Sequence, residues 1–318
     1  MSNLSLIVIL GPTASGKSEL AVKLAKKFNG EIVSADSRQV YRDMDIGTGK
    51  VTPDTKNSSN FSTGQVKKKY IFTHKGIPHY CINVASPKRR FTVAQYRKLV
   101  LKSINKIFKN GKLPILCGGT GFYIQAVVDG IIIPEVKPDW KLRKKLEKKT
   151  AEELFNKLKK LDPKRAKTIE KKNPRRLIRA IEIVMKTKKP IPSLKKQPLP
   201  YPVLMIGIKK EKKKLNNLIE RRFLKWLKMG LIKEVKNLRK FGLSWKKIEE
   251  FGIHYRVVAQ YLQRKISRKE MIEKSVGEIQ NYAKRQITWF KRDKRIYWIK
   301  NQKEAEKLVN PIRKGGAF

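Results

Sequence analysis

The chain is 318 residues long, enough for one large or two ordinary domains with a buried core. Lys plus Arg number 76 against 26 Asp plus Glu, a formal net charge of +50, which favours a polyanionic partner, nucleic acid first; Lys spread over helix surfaces by a base-biased genome is the blander source of such an excess. Two distant cysteines exclude a disulfide framework or Cys-rich zinc site and suit a reducing cytoplasm, and no apolar run approaches the length of a membrane span.

Short apolar runs alternate with amphipathic stretches at the start of the chain, the pattern of a parallel α/β sheet. "SLIVIL" (5–10) reads as a buried strand without the basic lead of a signal peptide, Lys17 to Phe28 as a helix, and "EIVSAD" (31–36) as a second strand. Residues 47–70 are polar with Gly, Pro, Ser and Asn, hence a loop or insertion. "TVAQYRKLVLKSINKIFKNG" (92–111) places apolar residues at helical spacing and stops at Gly111, a C-cap residue. "KLPILCGGTGFYIQAV" (112–127) gives a strand, a glycine turn and another helix. From about Pro138 to Lys196 the pattern is helical and strongly basic, and "PVLMIGI" (202–208) then returns to a buried strand. That order predicts a small all-helical domain, 138–199, inserted in a discontinuous α/β core of 1–137 and 200–300, with 301–318 as a C-terminal tail that frays over "NPIRKGGAF" (310–318). Two helices around Gly230, a long basic helix from Lys269 to about Lys291 and a last strand in "RIYWIK" (295–300) complete the core.

Between the first strand and helix lies Gly11-Pro12-Thr13-Ala14-Ser15-Gly16-Lys17-Ser18, with the Gly-x4-Gly-Lys-Ser spacing of a P-loop. Such a loop aims backbone N–H groups at an anion from a helix N-terminus; Lys17 adds a charge and the Ser18 hydroxyl can hold Mg²⁺. Asp36 falls at the end of the second strand, where it can orient Mg²⁺, act as a general base, or simply cap the following turn. Gly118, Gly119 and Gly121 with Thr120 form a second strand-to-helix turn facing the same crevice, either a site or only a tight turn. Arg176 and Arg179 share a helix face opposite Leu177, Ile181 and Val184, fit for phosphate or for solvent. Lys284 and Arg285 among Tyr282, Trp289 and Phe290 suit RNA or a packed helix. His79-x-Cys81 lacks a matching second ligand pair, so no metal site is assigned there.

The usual occupant of a P-loop is ATP or GTP, yet the sequence has no second apolar run ending in Asp-Glu and no arginine-finger motif. The blocks "GPTASGKS", "ADSRQVY", "MDIGTGK", "FTVAQYRKLV", "PILCGGTGFYI", "RRLIRAIEIV" and "AKRQITWF", in this order from about residue 6 to 292, resemble the tRNA dimethylallyltransferase (tRNA isopentenyltransferase) family. The resemblance implies a P-loop NTPase-like fold, transfer of a dimethylallyl group from its diphosphate to N6 of the adenosine 3′ of a tRNA anticodon, and Mg²⁺ as cofactor. It also implies a cytoplasmic, mostly monomeric enzyme without a membrane. On matching positions, Gly11 to Ser18 hold the diphosphate, with Thr13 and Lys17 acting on the leaving group and Asp36 as base. Ser37, Arg38 and Gln39 then touch the flipped adenine and its neighbours. Thr120 and Arg143 line the reaction channel, while Arg175, Arg176 and Arg179, with Lys284, Arg285 and Gln286, contact tRNA.

The chain departs from the family pattern at "GTGKVTP" (47–53), at "PHYCIN" (78–83) and at Gly252-Ile253-His254. These bear on tRNA docking rather than on the donor loop. A P-loop kinase of small molecules or nucleosides, which leaves the basic insert idle, and an RNA-binding ATPase, which leaves the collinear blocks unexplained, are the competing readings.

Overall fold

In the computed structural model, residues 4–54, 72–131, 136–191 and 196–313 are described. They divide into two compact units, Met1–Val128 with Leu199–Phe318, and Asp129–Pro198.

The first unit is built on β1 (Leu6–Leu10), which is apolar and buried at every position, as a central parallel strand covered on both faces must be. The P-loop leads into α1 (Lys17–Lys27), then β2 (Gly30–Ser34), an edge hairpin of β3 (Phe72–His74) and β4 (Ile77–Tyr80), α2 (Val93–Lys109), β5 (Leu113–Gly118) and α3 (Gly121–Val128). Thr92 and Gln95 close a reciprocal capping box at the start of α2, and Gly111 follows its end with φ +66°, the break expected there. The hairpin was not expected from sequence. Most of the polar stretch assigned to a loop, 55–71, lies outside the described residues.

Among the described residues the strands form one sheet of seven, in the order β3-β4-β2-β5-β1-β6-β7 once β6 (Val203–Ile208) and β7 (Ile296–Ile299) are included. All pairings are parallel except the β3–β4 hairpin at the edge. The ends of β1, β2 and β5 therefore open side by side at one rim, where an α/β sheet binds its ligands.

The second unit contains α4 (Trp140–Leu146), α5 (Ala151–Leu161), α6 (Pro163–Thr168) and α7 (Pro174–Thr187). Asp139, Thr150, Asp162 and Asn173 each accept a backbone N–H as N-caps, so every short helix starts with a satisfied turn. Leu146, Leu154, Leu158, Leu177, Ile178 and Ile181 form its own core.

Returning to the first unit, α8 (Lys212–Met229) and α9 (Leu231–Lys240) meet at Gly230, φ +103°, as expected. Short α10 (Trp245–Glu249) and α11 (Ile253–Leu262) precede the long α12 (Arg268–Phe290), which packs on α8, α11 and α3. The stretch expected to fray, 310–318, begins inside a helix: the C-terminal tail of 301–318 includes α13 (Gln302–Arg313), whose Ala305 and Val309 are fully buried in the cluster on the α1 side of the sheet. Apolar residues at helical spacing, Ala305, Leu308 and Val309, carried that signal among Lys and Glu, and the run "NPIRKGGAF" masked it.

Candidate active site

The phosphate loop occupies the turn from β1 to α1, with Ser15 buried and Gly16, in a left-handed conformation at φ +93°, opening the helix. The Lys17 ammonium curls back to donate to the Pro12 carbonyl at 2.6 Å. Burial lowers its pKa to about 8, opposed by the Asp36 carboxylate and reinforced by Arg222. An ammonium held in this way is only weakly solvated and is poised to pair with an incoming anion.

Arg222, on α8, escaped the sequence reading. Its guanidinium donates to the Thr13 hydroxyl and lies 4.6 Å from the centre of the Trp226 ring. Burial, partly offset by Asp36, brings its pKa down to about 10, so it stays charged at neutral pH. Its Nε is buried without a protein partner. One arginine in "ERRFLKW" (220–226) has nothing in sequence to set it apart from the other basic residues of this chain. Lys17, Arg222 and Asp36 thus lie within electrostatic reach of one another at the sheet rim.

Asp36 follows β2. One carboxylate oxygen accepts the Arg38 N–H at 2.8 Å and the Gln39 N–H at 3.4 Å, so the turn-capping role is real. Capping occupies that oxygen and leaves the carboxylate only half-buried at the rim. The Ser37 N–H donates to the Thr120 hydroxyl at 3.1 Å, and Thr120 N–H to the Ala35 carbonyl at 3.2 Å. The loop after β2 and the second glycine turn are therefore one bonded structure, as expected of two features facing one crevice.

Three placements bear on the sequence reading. Gln39, expected at the nucleic acid, turns its amide inward: its carbonyl oxygen accepts from Ser34 at 2.8 Å, and its nitrogen donates to the Thr48 and Gly49 carbonyls at 3.3 Å each. Gln286, grouped with Lys284 and Arg285, is buried and accepts the Thr13 N–H at 2.8 Å while donating to the Gly119 carbonyl at 2.7 Å. Helical period explains it, since residue 286 lies on the apolar face of α12 with Ala283 and Phe290, whereas Lys284 and Arg285 are exposed. The glycines of the second turn also have another reason than ligand approach. A Cβ at Gly119 would strike the Gln286 amide, and one at Gly121 would strike the Trp289 indole. They let α12 close onto the turn.

In the helical unit, Arg143 and Arg179 are likewise turned inward. Both pair with Glu182, which is fully buried, Arg143 through two nitrogens at 2.8 and 2.6 Å. The Asp139 N–H donates to the same carboxylate at 2.6 Å, and Arg179 also donates to the Val136 carbonyl at 3.0 Å. Burial opposes ionisation of Glu182, but these donors win and bring its pKa down to about 2. Arg175 and Arg176 stay exposed, Arg176 in a 3.2 Å surface pair with Glu170 of the kind that contributes little.

Behind the loop that follows β2, Glu234 on α9 accepts the N–H groups of Asp45, Ile46 and Gly47 at 2.7, 2.7 and 3.0 Å and the Tyr255 hydroxyl at 2.7 Å. Lys50 donates to the Tyr41 carbonyl at 2.5 Å, to Asp45 at 2.7 Å and to Asn83 at 2.5 Å. The block "MDIGTGK" (44–50) is thus a bracket under the turn that carries Asp36. Burial lowers the pKa of Lys50, against the pull of Asp45.

Among the described residues no group of three or more His, Cys, Asp or Glu is arranged to hold a metal. A magnesium ion on a phosphate substrate needs little from the protein, because substrate oxygens and water complete its octahedron. The Ser18 hydroxyl at the start of α1 fits that single role. Nor, among the described residues, is any helix long and apolar enough to cross a membrane.

A P-loop at one strand end, a carboxylate at the next and a glycine turn bonded between them define a phosphate-handling transferase of the P-loop class. Two family models cover the chain, IPP transferase over residues 39–293 and Isopentenyl transferase over 4–61. The chain belongs to the IPP transferase family, whose members are prenyltransferases. It is 39% identical over 319 residues to a tRNA dimethylallyltransferase of Acetivibrio thermocellus, covering 97% of this chain and 96% of the relative. The full-length tRNA isopentenylpyrophosphate transferase of Bacillus halodurans has a similar structure, with 33% identity, TM-score 0.69, and 98% and 97% of the two chains covered. A eukaryotic dimethylallyltransferase solved acting on tRNA shares the fold at 24% identity and TM-score 0.75, over 99% of this chain and 81% of that one.

Proposed function

We propose that this chain transfers a dimethylallyl group from dimethylallyl diphosphate to N6 of the adenosine 3′ of a tRNA anticodon, releasing diphosphate. The observation that carries the reading is one rim on which a cationic phosphate loop, reinforced by buried Arg222, faces the carboxylate of Asp36. A P-loop kinase would also use such a loop and carboxylate; the match of the chain to the IPP transferase family favours leaving-group stabilisation and proton uptake in a prenyl transfer.

In the proposed reaction the bond from the allylic carbon to the diphosphate oxygen breaks, and its electron pair leaves with the diphosphate. Loop N–H groups, Lys17, Thr13 and Arg222 meet the charge that grows there. The N6 lone pair forms the new carbon–nitrogen bond, and the N6 proton passes to the free side of Asp36. Ser18 would hold Mg²⁺, which when bound neutralises part of the diphosphate charge. The adenine must leave its stack to reach Asp36. Ser37, Arg38 and Thr120 border its place, while Gln39 fixes the loop from behind. Exposed Arg175, Arg176, Lys284 and Arg285 supply backbone contacts with tRNA, and Arg143 with Arg179 keeps the helical unit in shape through Glu182.

Incubating tRNA with labelled dimethylallyl diphosphate and Mg²⁺, beside a parallel reaction with ATP, tests the proposal. Label in the tRNA supports it; ATP turnover with no label in tRNA sinks it.

A further inference from the structure

Among the described residues, the Gln286 side chain alone bonds both loops of the phosphate rim. It is buried on α12, accepts from the Thr13 N–H at 2.8 Å and donates to the Gly119 carbonyl at 2.7 Å, far from both in sequence. The polarity leaves no freedom: a backbone N–H only donates and a carbonyl only accepts, so the amide has one orientation. A carboxylate in its place has no proton for Gly119, and an apolar chain serves neither. Thr13 is held a second time, at its hydroxyl, by Arg222. Its backbone and side chain are thus pinned from two helices, α12 and α8, before any ligand arrives.

We propose that Gln286 is a positioning residue for the donor diphosphate: by fixing the Thr13 backbone it sets the direction of the loop N–H groups and the seat of the Arg222 guanidinium. Its partners are loop backbone and not RNA, so its effect falls on the donor and not on tRNA affinity. The kinetic part rests on the transferase reading above; the binding part does not.

The test uses the full chain with Q286M, which keeps length and loses both bonds, and Q286E, which keeps the acceptor and loses the donor. Binding of inorganic diphosphate with Mg²⁺ is read by calorimetry, and KM for dimethylallyl diphosphate and for tRNA by label transfer. Losing a buried hydrogen-bonded pair corresponds to roughly tenfold weaker diphosphate binding in Q286M, with donor KM rising in step and tRNA KM within about twofold of the parent. Q286E, which brings a negative charge toward the anion, should lose at least as much. If Q286M does not fold, Q286E decides by the same readings. Diphosphate binding within about twofold of the parent in the folded variant, or equal rises in both KM values, overturns the assignment. Should the parent transfer no label, the calorimetric comparison still decides the role of Gln286, and only the transferase reading falls.

Discussion

Replacing Glu234 with Ala should destabilise the protein and slow its reaction together, although the residue touches no substrate in this account. Its carboxylate accepts three consecutive N–H groups, of Asp45, Ile46 and Gly47, and the hydroxyl of buried Tyr255. Hydrogen bonds to a charged group contribute about 1.5–3 kcal/mol each, and an abandoned buried donor costs a similar amount. The Asp45 N–H is exposed and regains water, so we count the other donors at reduced value, giving a loss of about 2–4 kcal/mol. Tyr255 bears much of it: burial and the facing carboxylate hold its phenol protonated, well above the ordinary range, and in the variant it is a buried donor with no acceptor. The freed segment includes Thr48 and Gly49, whose carbonyls hold Gln39, so the turn that carries Asp36 loosens too. Urea unfolding reads the first effect and single-turnover transfer the second. E234Q, retaining one acceptor oxygen, should lose about half as much stability as E234A on the same counting. A loss below about 0.5 kcal/mol for E234A, the level of an ordinary surface change, would refute the bracket.

Three further outcomes follow. Asp36→Asn keeps an oxygen for the Arg38 N–H and so preserves the turn, and should cut the transfer rate about 10²-fold or more with tRNA affinity nearly unchanged by filter binding; collapse of binding would make Asp36 structural. R175E/R176E should weaken tRNA binding and flatten its salt dependence by about one unit of slope per lost phosphate contact, whereas R179E should first lower the melting temperature by stranding Glu182; an unchanged salt slope in the first variant rejects those contacts. Lys17 titrates at about 8 in the free protein, so its charge is present below that pH and fades above it. Donor affinity should fall as pH rises past 8, with proton uptake on diphosphate binding by calorimetry in paired buffers, and K17M should abolish that uptake; uptake that persists in K17M assigns the proton elsewhere.

Much of the fold is written in local patterns. The P-loop spacing, the apolar strand runs and Gly230 each act within a few residues, and β1, α1, β5 and the α8–α9 break follow from them. What the sequence hid is what depends on contacts distant along the chain. Arg222 and Glu234 are ordinary charged residues on basic helices until packing brings them under Thr13 and the 45–47 segment. Gln286 and Gln39 look like nucleic-acid contacts because amides suit bases, yet Gln286 spends donor and acceptor on loop backbone, and Gln39 donates to backbone and accepts from the Ser34 hydroxyl. For Arg143 and Arg179 the hidden partner is an acid. Arginine in so basic a chain suggests phosphate, but the fully buried Glu182 claims both, since an unpaired buried carboxylate is costly. The glycines of "CGGTGFY" (117–123) were legible as glycines needing close approach; that a helix makes the approach was not.

The most direct test is the chemical identity of the product. After incubation of tRNA with dimethylallyl diphosphate, Mg²⁺ and the protein, nuclease mapping and nucleoside mass spectrometry should find one prenylated adenosine, modified at N6, in the nucleotide 3′ of the anticodon. Unmodified tRNA, with the P-loop instead consuming ATP, would contradict the account.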